Sequence, residues 1–168
     1  MCKIKVQPPV IEHIPSYPRY GMPRQYLVAK LAEVGIEPML ECPDDDPFIL
    51  SPWWYHTTLD GWGNLLPNLI LASNLYKQDI FMCWGYALNA QVECARRYSL
   101  NTLLMCIGKI EGSPMKHAFN IFPYGNQYEI EGFMLFEPNG GYEVSGQGFP
   151  LGEAGYLAQY VLLARGEN

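Results

Sequence analysis

The sequence has few charged residues and no basic cluster. Only 17% of its 168 residues are charged, and 17 acidic residues against 11 basic ones give a net charge of −6. It contains no run of lysine and arginine of the kind that binds phosphate backbones or anionic lipid surfaces. The composition therefore argues against a nucleic-acid or membrane partner.

Long apolar runs and paired cysteines are also missing. No stretch approaches the roughly 18 unbroken apolar residues of a membrane-spanning helix, and the start, MCKIKVQPPV, lacks the apolar run of a signal peptide. The five cysteines are odd in number and no two have CxxC spacing, which argues against a disulfide framework or a zinc knuckle. These absences predict a cytoplasmic protein whose thiols are mostly free.

Apolar and aromatic residues are abundant instead, at 49% and 14% of the chain. This composition supports one domain over residues 1–168, with a part over 1–63 that is rich in proline and aromatic residues. The predicted elements are an irregular start over 1–20, a helix over 22–37, a long loop with short extended pieces over 42–64, helices over 64–77 and 81–98, strands over 101–110, 117–124 and 132–139, and a helix over 152–166. Helices followed by an antiparallel meander are typical of an α+β fold.

A cysteine at a predicted helix start is the first candidate for chemistry. Cys83 falls in the first turn of the helix predicted over 81–98, where the positive end of the helix dipole favours the thiolate. The thiolate is the nucleophilic form of cysteine, so this position suits a catalytic thiol. Cys94 lies three turns further along the same helix, and Cys106 lies in a predicted strand among apolar neighbours; both are predicted to be small core residues. Asp79, just before the helix, is a candidate cap.

A histidine and an acid lie on two of the predicted strands. If these strands pair as a hairpin centred on Gln127, His117 lies opposite Glu137. The same register pairs Phe119 with Leu135 and Ile121 with Phe133, all on one common face. A register shift of two residues keeps this face, whereas a shift of one destroys it. A carboxylate beside an imidazole fixes its tautomer and supports the imidazolium. If the long helix packs on this face, Cys83 completes a Cys–His–Glu triad.

Three segments resemble the core of the transglutaminase-like superfamily, a branch of the papain-like cysteine enzymes: CWGYALNAQVECARRY, HAFN and EPN, which contain Cys83, His117 and Glu137. In that family the nucleophilic cysteine opens a helix, a histidine begins a strand, and an acid ends the next strand. The resemblance covers residues 79–140 and implies a papain/transglutaminase-like fold, with a central cysteine-bearing helix packed on an antiparallel sheet. The family usually has aspartate where this chain has Glu137, so the longer side chain must still reach the imidazole.

The resemblance also implies a donor upstream of the cysteine that stabilises the oxyanion of acyl transfer, beside the backbone N–H of Cys83. Gln78 resembles the papain-type position most, although the spacing differs. The other candidates for oxyanion or substrate binding are Asn74, Trp53, Trp54, Trp62 and the Asn139 of the EPN segment. The sequence does not choose among them.

These residues predict a cysteine-dependent hydrolase, either a peptidase or an amidase, that acts on an amide bond of a peptide or protein through a thioester acyl-enzyme. Acyl transfer to an amine, as in a transglutaminase, is an alternative. A second alternative is a non-catalytic transglutaminase-like module that binds peptide or glycan through the aromatic run PWWYHTTLDGWG, although core packing is the simpler expectation for these rings. No cofactor is expected. A metal site is disfavoured because no histidines have ligand spacing among the candidates His13, His56, His117 and Asp44–Asp46.

Overall fold

The structure, a computed structural model, describes residues 16–40 and 53–163. The helices in these ranges are α1 (Arg24–Glu33), α2 (Leu59–Leu65) and α3 (Cys83–Tyr98). The strands are β1 (Tyr20–Pro23), β2 (Glu37–Leu40), β3 (Trp53–His56), β4 (Leu104–Ile110), β5 (Lys116–Gly125), β6 (Ile130–Phe136), β7 (Gly148–Pro150) and β8 (Tyr156–Leu163). Short 3₁₀ turns lie at Leu66–Leu69, Ser73–Leu75 and Glu153–Gly155. None of the helices in the described ranges is long and apolar enough to cross a membrane.

Six of these strands form one sheet in the order β2-β8-β4-β5-β6-β7, and β1 pairs with β3 in a separate two-stranded sheet. Neighbours in the large sheet are antiparallel, except that β2 runs parallel to β8. The predicted meander of three strands is confirmed as β4, β5 and β6. The protein is a mixed α and β fold, compatible with the predicted α+β class.

β5 is the strand on which both hydrophobic cores are built. It is buried along nearly its whole length, and its successive side chains point to opposite faces of the sheet. Phe119 and Ile121 pack on one face with α1, whose Leu27 and Leu31 are buried one turn apart. Phe122 packs on the other face with residues of α2 and α3. The helices α1 and α3 therefore cover opposite faces of the sheet.

The hairpin of β5 and β6 has a register two residues away from the predicted one. Ile121 pairs with Leu135, whereas the sequence predicted Phe133 as its partner. A shift of two leaves every side chain on its predicted face. His117 and Glu137 consequently lie diagonally across the two chains and not directly opposite each other.

The helix predicted over 64–77 is wrong in its position. α2 begins at Leu59, where the Thr58 side chain accepts a hydrogen bond from the Gly61 N–H at 3.1 Å. The α-helix ends before Pro67, because proline has no N–H to donate and its ring clashes with the preceding turn. The chain continues as a 3₁₀ turn.

Two predictions for the N-terminal part also change. The helix predicted over 22–37 is α1, which ends at Glu33, shortly before Gly35 with its positive φ of 75°. The second half of the loop predicted over 42–64 holds β3 and α2. The first half of that loop and most of the irregular start predicted over 1–20 lie outside the described residues.

The closing helix predicted over 152–166 is wrong, because this stretch forms β8 between β2 and β4. The burial of β8 alternates along the strand, but a bulge between Ala158 and Tyr160 interrupts the period of two, so the periodicity of this apolar run does not distinguish a strand from a helix. Gly152 and Gly155, just before β8, have positive φ values of 81° and 73°. This backbone conformation, which glycine adopts readily, turns the chain into the strand.

The predicted long helix is confirmed as α3, and it begins at Cys83. The residue before it, Met82, has extended backbone angles and makes no side-chain capping bond. The prediction of Asp79 as the cap is therefore wrong; Asp79 lies in the preceding turn with a φ of 63°. Gly85 lets the Phe81 ring pack on the first turn of α3, since a Cβ there would lie 2.9 Å from that ring.

A matched pair of glycine substitutions tests the packing of the sheet. A Cβ at Gly108 in β4 would lie 2.1 Å from the backbone oxygen of Leu157 in β8, whereas a Cβ at Gly63 in α2 would have no such neighbour within 4 Å among the described residues. We expect Gly108→Ala to lower the free energy of unfolding by about 1–3 kcal/mol. Gly63→Ala should raise it by up to about 1 kcal/mol. Urea unfolding midpoints measure both, and equal midpoints for the two variants would contradict this packing.

Candidate active site

The His117 imidazole and the Glu137 carboxylate form a buried hydrogen bond. His117 lies at the start of β5, and Glu137 directly follows β6. His117 Nε2 lies 2.7 Å from Glu137 Oε2, and the two residues are 8% and 1% exposed. A diagonal pair is wider than a direct pair, and the long glutamate side chain spans the difference.

Both oxygens of the Glu137 carboxylate accept further hydrogen bonds. Oε2 also accepts from the Tyr156 hydroxyl at 3.1 Å, and Oε1 accepts from the Asn139 backbone N–H at 2.9 Å. The partner of opposite charge is the imidazolium form of His117. Because burial of a carboxylate is unfavourable unless it is hydrogen-bonded, these three contacts hold it in one orientation.

The long helix packs on the face of the sheet opposite to His117. Asn120 of β5 points toward α3, since its Nδ2 donates to the Ala87 carbonyl at 2.9 Å. Side chains alternate along a strand, so His117 points with Phe119 to the face that α1 covers. The condition considered from the sequence, that the long helix packs on the His117 face, is therefore not met.

Cys83 nevertheless reaches His117, through a gap beside β5. β6 pairs with β5 from Asn120 onward, and the first residues of β5 have no β6 partner. The start of α3 lies at this gap, where the Cys83 thiol interacts with the His117 imidazole and the backbone N–H of Ala118. Since Glu137 holds Nε2, Nδ1 is the imidazole nitrogen left for the thiol.

This contact changes the pKa of both groups. The hydrogen bond with His117 lowers the pKa of the Cys83 thiol, against the opposing effect of burial. Burial by itself would lower the pKa of His117, but hydrogen bonds with Cys83 and Glu137 more than offset it and raise that pKa to about 9. At pH values between the two pKa values, the pair exists as thiolate and imidazolium.

Two other cysteines of the described residues are structural. Cys94 and Cys106 are fully buried, as predicted for core residues. Burial raises the pKa of the Cys94 thiol, and it raises the pKa of Cys106 to about 12. Both thiols therefore remain protonated and unreactive at neutral pH. Cys83 is the partly exposed thiol of this set.

The tryptophans proposed for oxyanion or substrate binding lie in other parts of the fold. Trp62 is fully buried, and its Nε1–H donates to a backbone carbonyl at 2.8 Å. Trp54 is buried in the core beneath α1. Neither side chain is accessible to a substrate, which argues against that role. Trp53 is 49% exposed, and its carbonyl accepts a hydrogen bond from Asn101. Asn101 lies just before the first residue of β4, whereas His117 pairs near the last residues of that strand, so Trp53 lies away from His117.

The polar candidates divide into one structural residue and two exposed ones. Asn139 lies beside the carboxylate, where its backbone N–H binds Glu137 and its side-chain oxygen accepts from the Gly141 N–H at 3.0 Å. Asn139 therefore organises the loop after β6. Gln78 lies in the exposed turn that leads to α3, and Asn74 lies in an exposed 3₁₀ turn. Their role as donors stays a prediction.

Two tyrosines of the site are absent from the sequence-based candidates. The ring centroids of Tyr142 and Tyr156 lie 5.2 and 5.9 Å from that of His117. Tyr156 is the first residue of β8. A prediction of this run as a strand would have placed Tyr156 in the sheet. Tyr142 lies in the loop after the EPN segment, where only its closeness in sequence to Glu137 points to the site.

The groups that meet at this site are a thiol, an imidazole and a carboxylate. Among residues 16–40 and 53–163, no group of three or more His, Cys, Asp or Glu side chains is placed to hold a metal ion. His56, one of the residues considered for a metal, is buried beside the Tyr20 ring at 5.7 Å. His13 and Asp44–Asp46 lie outside the described ranges.

The chain matches no protein-family model, and no curated protein matches its sequence. The assignment of a function therefore depends on the chemistry of the site itself.

The thiolate–imidazolium pair predicts an unusual pH dependence for alkylation of Cys83. Iodoacetamide reacts with thiolate, so we expect rapid labelling well below the ordinary thiol pKa of about 8.5. The rate should fall only at acid pH, where the thiolate is protonated, and His117→Ala should move the profile toward that of a free thiol. Peptide mass spectrometry measures labelling at Cys83 itself, and Cys83→Ala gives the background. An ordinary thiol profile in the wild type would contradict the pair.

Two substitutions of Glu137 separate the reach of this side chain from its charge. Aspartate keeps the charge but is shorter by one methylene, so across a diagonal pair it should lose the bond to His117; glutamine keeps the length without the charge. A charged hydrogen bond contributes about 1.5–3 kcal/mol. Both variants should therefore move the acid limb of Cys83 alkylation up by roughly one pH unit or more. Glu129→Gln, in an exposed turn, is the control. Wild-type profiles in both Glu137 variants would show that the carboxylate does not act on the pair.

Proposed function

We propose that this protein is a cysteine-dependent hydrolase that acts on an amide bond of a peptide or protein. The main support is that one buried imidazole hydrogen-bonds a carboxylate on one side and interacts with a thiol at a helix start on the other. In this arrangement Cys83 is the nucleophile, His117 is the base and later the acid, and Glu137 orients His117.

The proposed reaction has two steps. The Cys83 thiolate attacks the carbonyl carbon, and the electron pair of the C=O bond moves to oxygen. The C–N bond then breaks, the His117 imidazolium gives its proton to the leaving amine, and a thioester remains on Cys83. In the second step the neutral imidazole takes a proton from water, which attacks the thioester carbonyl carbon. The C–S bond then breaks, the acid leaves, and the Cys83 thiolate and the His117 imidazolium are restored. Glu137 keeps the tautomer that directs Nδ1 to the thiol.

The order of elements supports a transglutaminase-like type of this chemistry. A cysteine opens the long helix α3, a histidine lies at the start of β5, and an acid directly follows β6, the next strand. The resemblance of the sequence implies the same order. We therefore propose a papain/transglutaminase-like arrangement over residues 79–140, with Glu137 in the place of the usual aspartate.

A binding module without catalysis has less support. In the aromatic run PWWYHTTLDGWG, Trp54 and Trp62 are buried, and Tyr55 packs against the core between α3 and the sheet. Trp53 is the tryptophan of this run that solvent reaches. A run that mostly builds the core offers little surface for stacking on a peptide or glycan.

An acyl-enzyme on Cys83 is the expected intermediate. Attack of the thiolate on p-nitrophenyl acetate breaks the ester C–O bond, releases p-nitrophenolate and leaves an acetyl thioester. After acid quenching, mass spectrometry should find the acetyl group on Cys83. We expect Cys83→Ala to abolish its formation without changing the unfolding midpoint, because this thiol is only partly buried. Unchanged turnover of the ester by Cys83→Ala would contradict the proposal.

The same experiment with a peptide amide identifies the acyl acceptor. Hydrolysis gives a carboxylic acid, whereas transfer to an added primary amine gives a substituted amide. The proposed hydrolase should give mainly the acid when the amine is present, and predominance of the substituted amide would assign the protein to acyl transfer instead.

A further inference from the structure

The proposed hydrolysis requires hydrogen-bond donors for the oxygen that becomes negative in the tetrahedral intermediate. The start of α3 offers one of them, the backbone N–H of Cys83, because the first N–H groups of a helix have no partner within it. These candidates do not identify the side-chain donor, since Trp54 and Trp62 are buried and Asn139 is engaged in a turn. The role assigned below to another residue rests on the proposed function.

Tyr142 borders the triad on its solvent side. Its ring lies against the His117 imidazole, with centroids 5.2 Å apart, while 37% of its surface is exposed. Within the part of the chain that the structure describes, no hydrogen bond engages the Tyr142 hydroxyl. Burial and the negative charges of Glu137 and Cys83 raise the pKa of this hydroxyl. The phenol therefore stays protonated as a donor, and it lies within the field of the thiolate.

The loop that carries Tyr142 is held by its backbone. The Tyr142 N–H donates to the Asn139 carbonyl at 3.2 Å. Its own carbonyl accepts from the N–H and the hydroxyl of Ser145, at 3.1 and 2.8 Å. None of these bonds involves the phenol, so the substitution Tyr142→Phe removes the hydroxyl and leaves the loop in place.

The same loop is tied to the helix that carries Cys83. Leu71 forms two backbone hydrogen bonds of 2.9 Å with this loop, one as donor and one as acceptor. The Tyr86 hydroxyl of α3 donates to two carbonyls just after Leu71, at 3.0 and 3.1 Å. Hydrogen bonds thus connect the helix that carries the nucleophile to the loop that carries Tyr142. A donor fixed in this way stabilises the oxyanion without reorganisation during the reaction.

We propose that the Tyr142 hydroxyl is the side-chain donor of the oxyanion hole and acts together with the backbone N–H of Cys83. As the sulfur–carbon bond forms, the carbonyl oxygen gains the electron pair of the C=O bond. The phenol donates a hydrogen bond to this oxygen and keeps its proton. When the C–N bond breaks, the electron pair returns to the C=O bond of the thioester.

Acylation and alkylation of Cys83 separate this role from other effects at the site. Acylation by p-nitrophenyl acetate passes through an oxyanion, whereas alkylation by iodoacetamide does not. We expect Tyr142→Phe to slow acylation on the order of 100-fold and to leave the rate and pH profile of alkylation unchanged. The control is Tyr160→Phe, which removes a hydroxyl bound to Lys116 at the surface and should keep both reactions at the wild-type rate. Gln78→Ala tests the competing candidate in the same two reactions. Unfolding midpoints confirm that all variants fold.

Three results would overturn the assignment, and a fourth would overturn the proposed function. Equal acylation rates in Tyr142→Phe and the wild type would show that the hydroxyl is not a donor, and a selective loss in Gln78→Ala would assign the role to Gln78. Parallel losses of acylation and alkylation in Tyr142→Phe would show that the hydroxyl acts on the thiolate instead. A wild type that is alkylated as a thiolate but never acylated would overturn the proposed function itself.

Discussion

A carboxylate buried beside an imidazole is the interaction on which the rest of the site depends. Glu137 is almost fully enclosed, and removal of a charge from water is unfavourable unless a counter-charge and hydrogen bonds replace the water. Here β5 supplies His117, β8 supplies the Tyr156 hydroxyl, and the loop after β6 supplies the Asn139 N–H. These segments meet only in the assembled sheet. The charged site and the central strands of the fold therefore form together.

The same interaction reaches the thiol through the imidazole. The imidazolium is stabilised by the carboxylate at Nε2 and by the thiolate on its other side, so each anion favours the charged form of the ring between them. Contact with Cys83 is possible because β6 pairs with β5 only from Asn120 onward. If β6 continued along β5, it would occupy the gap in which the sulfur lies. Because the pairing of these strands is incomplete, Cys83 on a helix that covers one face can contact His117, which points to the other face.

Local patterns predicted those parts of the site that depend on neighbouring residues in the chain. Helical spacing located α3 and put Cys83 at its start, and strand alternation put His117 and Glu137 on one face. Three features depend on distant contacts that such patterns do not contain. Strand alternation does not distinguish two hairpin registers that differ by two residues. An amphipathic helix shows which of its sides is buried but not which face of a sheet it covers. A bulge between Ala158 and Tyr160 interrupts the alternation of β8, so the sequence pattern indicates a helix at Tyr156.

The register also gives a physical reason for glutamate at the acid position. With His117 directly opposite, a carboxylate on a short side chain would meet the imidazole, and a longer one would have to fold back. The observed register places the two residues on a diagonal, where the gap between the strands is wider and one more carbon–carbon bond, about 1.5 Å, is needed to close it. Glu137 supplies that length and still forms a bond of 2.7 Å. The choice of acid and the pairing of β5 with β6 are therefore linked: a slip of the hairpin by two residues would keep both hydrophobic faces but would spoil the geometry of the triad.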